Sequence, residues 1–213
     1  MRSPAHTSPV PFALLAAAGA LVAGACSVGT GRGEVRGSLR LVECGVDVPD
    51  YDLAPTFFGA DFVNDPDMAG AESPIVVLRV QRGSFMESYS DGLVITINDL
   101  NTLAREHLGE PLDLTPPAVG RRLVDVTFYA NQSCEAGYPD AFWRVAGVLP
   151  AVSGTITFDA VYAPDVDRSQ TEFQATLTGV RFESRERPTT RNATLDGWFE
   201  FNYQRGTPAQ RFP

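Results

Sequence analysis

Between Ile156 and Tyr203 the apolar side chains fall on alternate residues, and nothing else in the chain narrows its possible folds so far. Ile156, Phe158, Ala160 and Tyr162 share one parity, while Thr155, Thr157 and Asp159 take the other. Phe173, Ala175 and Leu177 oppose Glu172, Gln174, Thr176 and Thr178; Leu195, Gly197, Phe199, Phe201 and Tyr203 oppose Asp196, Trp198, Glu200 and Asn202. A period of two puts successive side chains on opposite faces of a strand. The three segments therefore read as neighbours in one antiparallel sheet, with one face in a core and a face rich in Thr, Asp and Asn in water. Gly179 breaks the phase so that Val180 and Phe182 continue inward, which predicts a bulge.

Shorter stretches of the same kind, bounded by Gly, Pro, Asn and Asp, predict strands near 37–44, 56–63, 75–81, 85–89, 93–97, 123–130, 142–148, 154–162, 172–183 and 193–203. Over 98–108 the period changes: Leu100, Leu103, Ala104 and Leu108 fall at helical spacing, Asn98 or Asp99 can cap, and Gly109 and Pro111 stop the helix. The expected fold is all-β, an antiparallel β-sandwich of about ten strands with one short helix, or alternatively a partly closed barrel. With 44% apolar and 20% charged residues the chain can build a core. No repeat or linker divides it, so one domain over 35–205 is expected, followed by a loose tail over 206–213.

The N-terminus has a different character. Residues 10–25 (VPFALLAAAGALVAGA) are apolar and small with no acid, shorter than a bilayer span, and end in Ala23-Gly24-Ala25 before Cys26. This arrangement resembles the signal peptide and lipobox of bacterial lipoproteins, with Ala23 where Leu is commoner. The resemblance covers residues 1–27 and implies cleavage before Cys26, acylation of that cysteine, and attachment of the exported protein to a membrane by its lipid. Ser27, standing where Asp would signal otherwise, implies the outer membrane of a Gram-negative host. Residues 26–34, Gly-rich and without apolar periodicity, read as a tether. Lipidation of Cys26 leaves Cys44 and Cys134, a pair that an oxidising compartment can close into a disulfide.

The remaining chemistry is sparse. All 17 basic residues are Arg, and removing residues 1–25 takes away Arg2 and no acid, which moves the net charge from −9 to −10. That balance argues against nucleic acid or anionic lipid as a partner of the folded surface. His107 is the mature chain's one histidine, placed where a helix C-terminus favours its charged form, and no G-x-S-x-G elbow occurs. No resident cofactor is expected, apart from calcium as a candidate. Between Arg40 and Arg79 eight acids occur without a base, and Asp61, Asn64, Asp65 and Asp67 are close enough in sequence to supply oxygen ligands to Ca²⁺, or to form a solvated acidic loop. The run lacks the EF-hand pattern, since Ala69 and Val76 fall at positions 5 and 12 counted from Asp65. Trp198 sits by parity among polar residues, so a face formed by Thr155, Thr176 and Trp198 is a candidate for a glycan or an envelope protein, with cross-strand packing as the plain alternative. Trp143 reads as core, and the run from Asn131 to Asp140 as turn. Arg181, Arg185, Arg187 and Arg191, interspersed with Glu183 and Glu186, read as a solvated hairpin end. The expected role is an envelope domain that binds or supports, without catalysis; calcium-stabilised and carboxylate-dependent hydrolase readings are the alternatives.

Overall fold

A computed structural model describes residues 31–63, 73–83, 90–137 and 147–203. Ten strands form one antiparallel, curled half-barrel: β1 (Gly31–Leu41), β2 (Val46–Asp52), β3 (Phe57–Val63), β4 (Ile75–Gln81), β5 (Gly92–Ile97), β6 (Pro111–Asp113), β7 (Val124–Ala130), β8 (Gly147–Ala160), β9 (Glu172–Glu183) and β10 (Arg191–Asn202). Their order across the sheet is β2-β1-β10-β9-β8-β7-β5-β4-β3, with β6 on β8. The all-β class and the strand count are as the sequence predicts, and of the two predicted arrangements the curled one is found. Two helices accompany the sheet, α1 (Leu100–Glu106) and α2 (Asn131–Gly137), with a 3₁₀ turn at Val42–Cys44. No helix of the described residues is long and apolar enough to cross a membrane.

A bent strand, β8, shapes the curl. β8 pairs with β7 through Gly147–Pro150, then turns away and pairs with β9 as far as Ala160. The separate strands expected at 142–148 and 154–162 are thus one where described, and residues 142–146 lie outside the described residues. Pro150 does not stop it, because bulges at Ala151–Ser153 and Ser153–Thr155 absorb the bend. Gly179 is the predicted bulge, at φ 55° in the left-handed region, and Gly154 passes so close that a Cβ there would lie 2.5 Å from the Gly179 carbonyl. At the other side of the sheet the chain leaves β2 at Leu53–Thr56, with Ala54 at φ 43°, and joins β4 as β3.

Alternation fills the concave side. Leu39, Leu78, Ile95, Phe128, Phe158, Phe173, Leu195 and Phe199 are all fully buried there, each contributing roughly 1.5–3 kcal/mol relative to exposure. An aromatic chain crosses this interior, Phe58 stacking on Phe201 at 5.9 Å and Phe201 on Phe173 at 5.3 Å, and ends at Tyr162 and Tyr203, stacked at 4.3 Å.

Several boundaries differ from expectation. β1 begins at Gly31, inside the predicted tether, because the end of β10 supplies a partner for each of its first residues. Its inward positions Gly31 and Gly33 carry no apolar side chain, since Phe201 and Phe199 occupy the space a Cβ would need. The predicted strand end at Cys44 is the 3₁₀ turn. α1 stops at Glu106, since His107 leaves helical geometry; Leu108, predicted on its apolar face, is exposed. The turn-rich run after Ala130 begins with α2 instead. The strand expected at 85–89, Trp143, the segment 1–30 with Cys26, and the tail 206–213 lie outside the described residues.

Candidate functional site

The pairing of β1, β10, β9 and β8 sets the convex face around Trp198. Arg32, Glu34, Arg36 and Ser38 alternate outward along β1, as do Trp198, Glu200 and Asn202 on β10 and Glu172, Gln174 and Thr176 on β9. Trp198 lies opposite Glu34 on one side and Thr176 on the other, and Thr176 lies opposite Thr157. The structure thus brings Trp198 and Thr176 together, while Thr155 stands one row along, opposite Thr178. Thr157 completes the row that the sequence assigned to Thr155. Trp198 is 37% exposed, so the face holds an accessible aromatic ring among hydroxyls and charges.

The charges are arranged as pairs. Arg32 Nε donates to Glu200 Oε1 at 2.5 Å, and its guanidinium carbon stands 5.7 Å from the Trp198 ring centroid. Arg36 bridges Glu34 at 2.8 Å and Asp52 at 3.4 Å. Beside Arg32 the sheet surface dips into a shallow groove of about 240 Å³ lined by Gly31, Arg32, Glu172, Glu200, Phe201 and Asn202. Asp196 is used structurally, its carboxylate accepting the bulge N–H of Gly179 at 2.6 Å. Sequence reasoning missed Arg32, which it placed in the tether. The signal was present in the alternation Gly31-Arg-Gly-Glu-Val-Arg36.

A second cluster, also missed, lies at the opposite end of the half-barrel. Asp91, fully buried, accepts from the Tyr51 hydroxyl at 2.8 Å, from the Ser133 N–H at 3.1 Å and from the Ser133 hydroxyl at 2.5 Å. Burial pushes the Tyr51 hydroxyl well above the ordinary tyrosine range, and the Asp91 charge and hydrogen bond push it the same way. Tyr51 therefore remains a donor, with the Arg82 guanidinium 5.6 Å from its ring centroid. Ser133 stands next to Cys134 on α2, and Cys134 is disulfide-bonded to Cys44 with a Cα–Cα distance of 5.0 Å. Glu43, beside Cys44, is held by Arg191 and Arg187, so part of the basic hairpin end is ion-paired rather than free in solvent. Among the described residues this end of the molecule is a clasp, in which the disulfide and the Glu43 ion pairs tie together the elements around the buried Asp91.

The other candidates are less assembled. Asp61 points outward from β3 opposite Val77, and Asn64, Asp65 and Asp67 lie outside the described residues. Among the described residues no three His, Cys, Asp or Glu side chains converge as metal ligands. His107 Nδ1 lies 3.0 Å from Glu110 Oε2 just beyond α1. Comparison with protein-family models, with curated proteins and with solved structures returns no match for the chain.

Proposed function

We propose that this is an exported, lipid-anchored envelope domain that works by binding, without catalysis, through the convex face centred on Trp198. The observation that carries the reading is a large aromatic side chain left 37% exposed on the polar side of the sheet, with Arg32, Glu34, Thr176 and Glu200 around it. Tryptophan, apolar in its ring and polar at its N–H, is enriched where partners bind. The lipobox-like sequence before Cys26 supports the anchor and the outer membrane location. Glu172 and Glu200 share the groove, as a carboxylate-dependent hydrolase would require. The groove is shallow and Glu200 is ion-paired with Arg32, which supports binding better than hydrolysis.

Two experiments test this reading. Intact-mass spectrometry of protein purified from its own membrane should give residues 26–213 plus acyl chains; an unacylated product would sink the anchor. A photo-crosslinking side chain at Thr176 should yield one dominant adduct in intact cells that disappears in Trp198→Ala, while the same probe at Thr127, outward on β7, yields none. Equal labelling from both positions would sink the binding face.

A further inference from the structure

We propose that the groove beside Trp198 receives the phosphoethanolamine headgroup of the membrane to which the chain is anchored. The inference rests on the anchored-domain reading above and names the ligand of the same face. Three observations carry it. The groove is lined by one cation, Arg32, and two carboxylates, Glu172 and Glu200, with the Asn202 amide between them. Arg32 and Glu200 pair with each other, but Glu172 has no ion-pair partner among the described residues. With Arg32 and Glu200 paired, the unmet charge of this lining is Glu172, and a ligand that brings an ammonium to Glu172 with a phosphate beside the Arg32 guanidinium complements it, as phosphoethanolamine does.

Position is the second observation. The groove lies where β1 begins and β10 ends. Five residue steps separate Cys26 from Gly31, a reach of about 18 Å at full extension. An acylated Cys26 keeps the groove within that distance of the bilayer surface. Third, the charge of −10 left after removal of residues 1–25 disfavours attraction to an anionic surface, whereas a zwitterionic headgroup adds no net charge. Selectivity follows from the ammonium. Ethanolamine donates N–H hydrogen bonds to carboxylates, and the methylated ammonium of choline has none to give.

The test uses the protein purified from its membrane in nonionic detergent. Calorimetric titration with glycerophosphoethanolamine should give saturable binding, with little response to glycerophosphocholine or glycerophosphoglycerol. Arg32→Ala and Glu172→Gln, both at exposed outward positions, should weaken it by about tenfold each, the size of one charge-assisted contact. In nanodiscs, the amides of Gly31, Arg32 and Asn202 should be protected from hydrogen exchange by phosphatidylethanolamine and not by phosphatidylcholine. No saturable heat, an equal response to all three headgroups, tighter binding of a neutral oligosaccharide, or protection by glycerophosphoethanolamine in solution but not by phosphatidylethanolamine in the nanodisc would each overturn the proposal. The intact-mass result is independent of these titrations, so failure of the anchor and failure of the headgroup site are distinguishable.

Discussion

Asp91 shows how much one side chain can organise when it is buried. Its two oxygens satisfy three donors from β2 and α2, elements far apart in sequence. Asp91→Ala would leave the Tyr51 hydroxyl and both Ser133 donors without their acceptor, and a loss of about 3 kcal/mol in urea unfolding is expected. Asp91→Asn keeps one carbonyl oxygen and should cost less. Gly197 makes the complementary point about space. At φ 154° a Cβ there would fall 2.1 Å from the Glu34 carbonyl, inside the β1–β10 ladder. Gly197→Ala is therefore expected to lower the melting temperature by several degrees, read by circular dichroism. Trp198→Ala, which removes exposed rather than core surface, should shift the same melt far less; a drop as large as that of Gly197→Ala would make Trp198 a packing residue.

At the scale of elements, the two helices contrast. α1 is a local structure: Asp99 caps it by accepting from Thr102 N at 2.9 Å, and Leu100 and Leu103 bury its inner stripe. Burial works to raise the Asp99 pKa, but hydrogen bonds from Ser73 and Thr102 and the Arg105 charge outweigh it and hold the carboxyl below its ordinary 3.8. α2 is a tertiary structure, seven residues containing Asn, Ser, Cys and Gly, kept helical by Asp91 and the Cys44 bond. Glu43 adds a pH dependence to that end. Burial raises its pKa, yet its own backbone N–H, the Arg191 hydrogen bond, and the charges of Arg191 and Arg187 prevail, so it titrates below 4.5. A folded-state pKa below the unfolded one gives stability that is present above pH 4.5 and lost as pH falls through the folded value. The urea midpoint should fall on acidification below that pH, and Glu43→Gln should make the fall shallower. An unchanged slope would show that the Arg191 pair contributes nothing to folding.

Across the whole molecule, the disulfide ties the 3₁₀ turn after β1 to α2, across a sequence separation of 90. The loop-entropy model assigns such a closure roughly 4 kcal/mol. The Cys44→Ser, Cys134→Ser double variant should lose a comparable amount in urea unfolding, and a loss under 1 kcal/mol would leave the clasp to Asp91 and Glu43 alone. Much of the half-barrel was legible beforehand. Strands β4, β5, β7, β9 and β10 stand within two residues of their predicted bounds, because alternation is a local property written into neighbouring side chains. β2, with Pro49 and three Asp in seven residues, and β6, three residues long, carry too little alternation to be read. Of the candidate site, Trp198 and Thr176 were legible as outward residues, but their direct opposition, and the arrival of Arg32 beside them, were not.

Local pattern is enough to say which residues turn inward, where α1 is capped, which bulge rephases β9, and which two cysteines remain to pair once Cys26 is set apart. Those follow from period, turn chemistry and counting, none of which needs a partner strand. Long-range packing supplies the rest: the sheet curls through the bend of β8, a glycine-rich segment becomes the first half of β1, and Arg32 meets Glu200 across 168 positions of chain. Register between distant strands depends on which ladder buries the most surface and hydrogen bonds together, and that quantity belongs to the assembled sheet rather than to any segment of it.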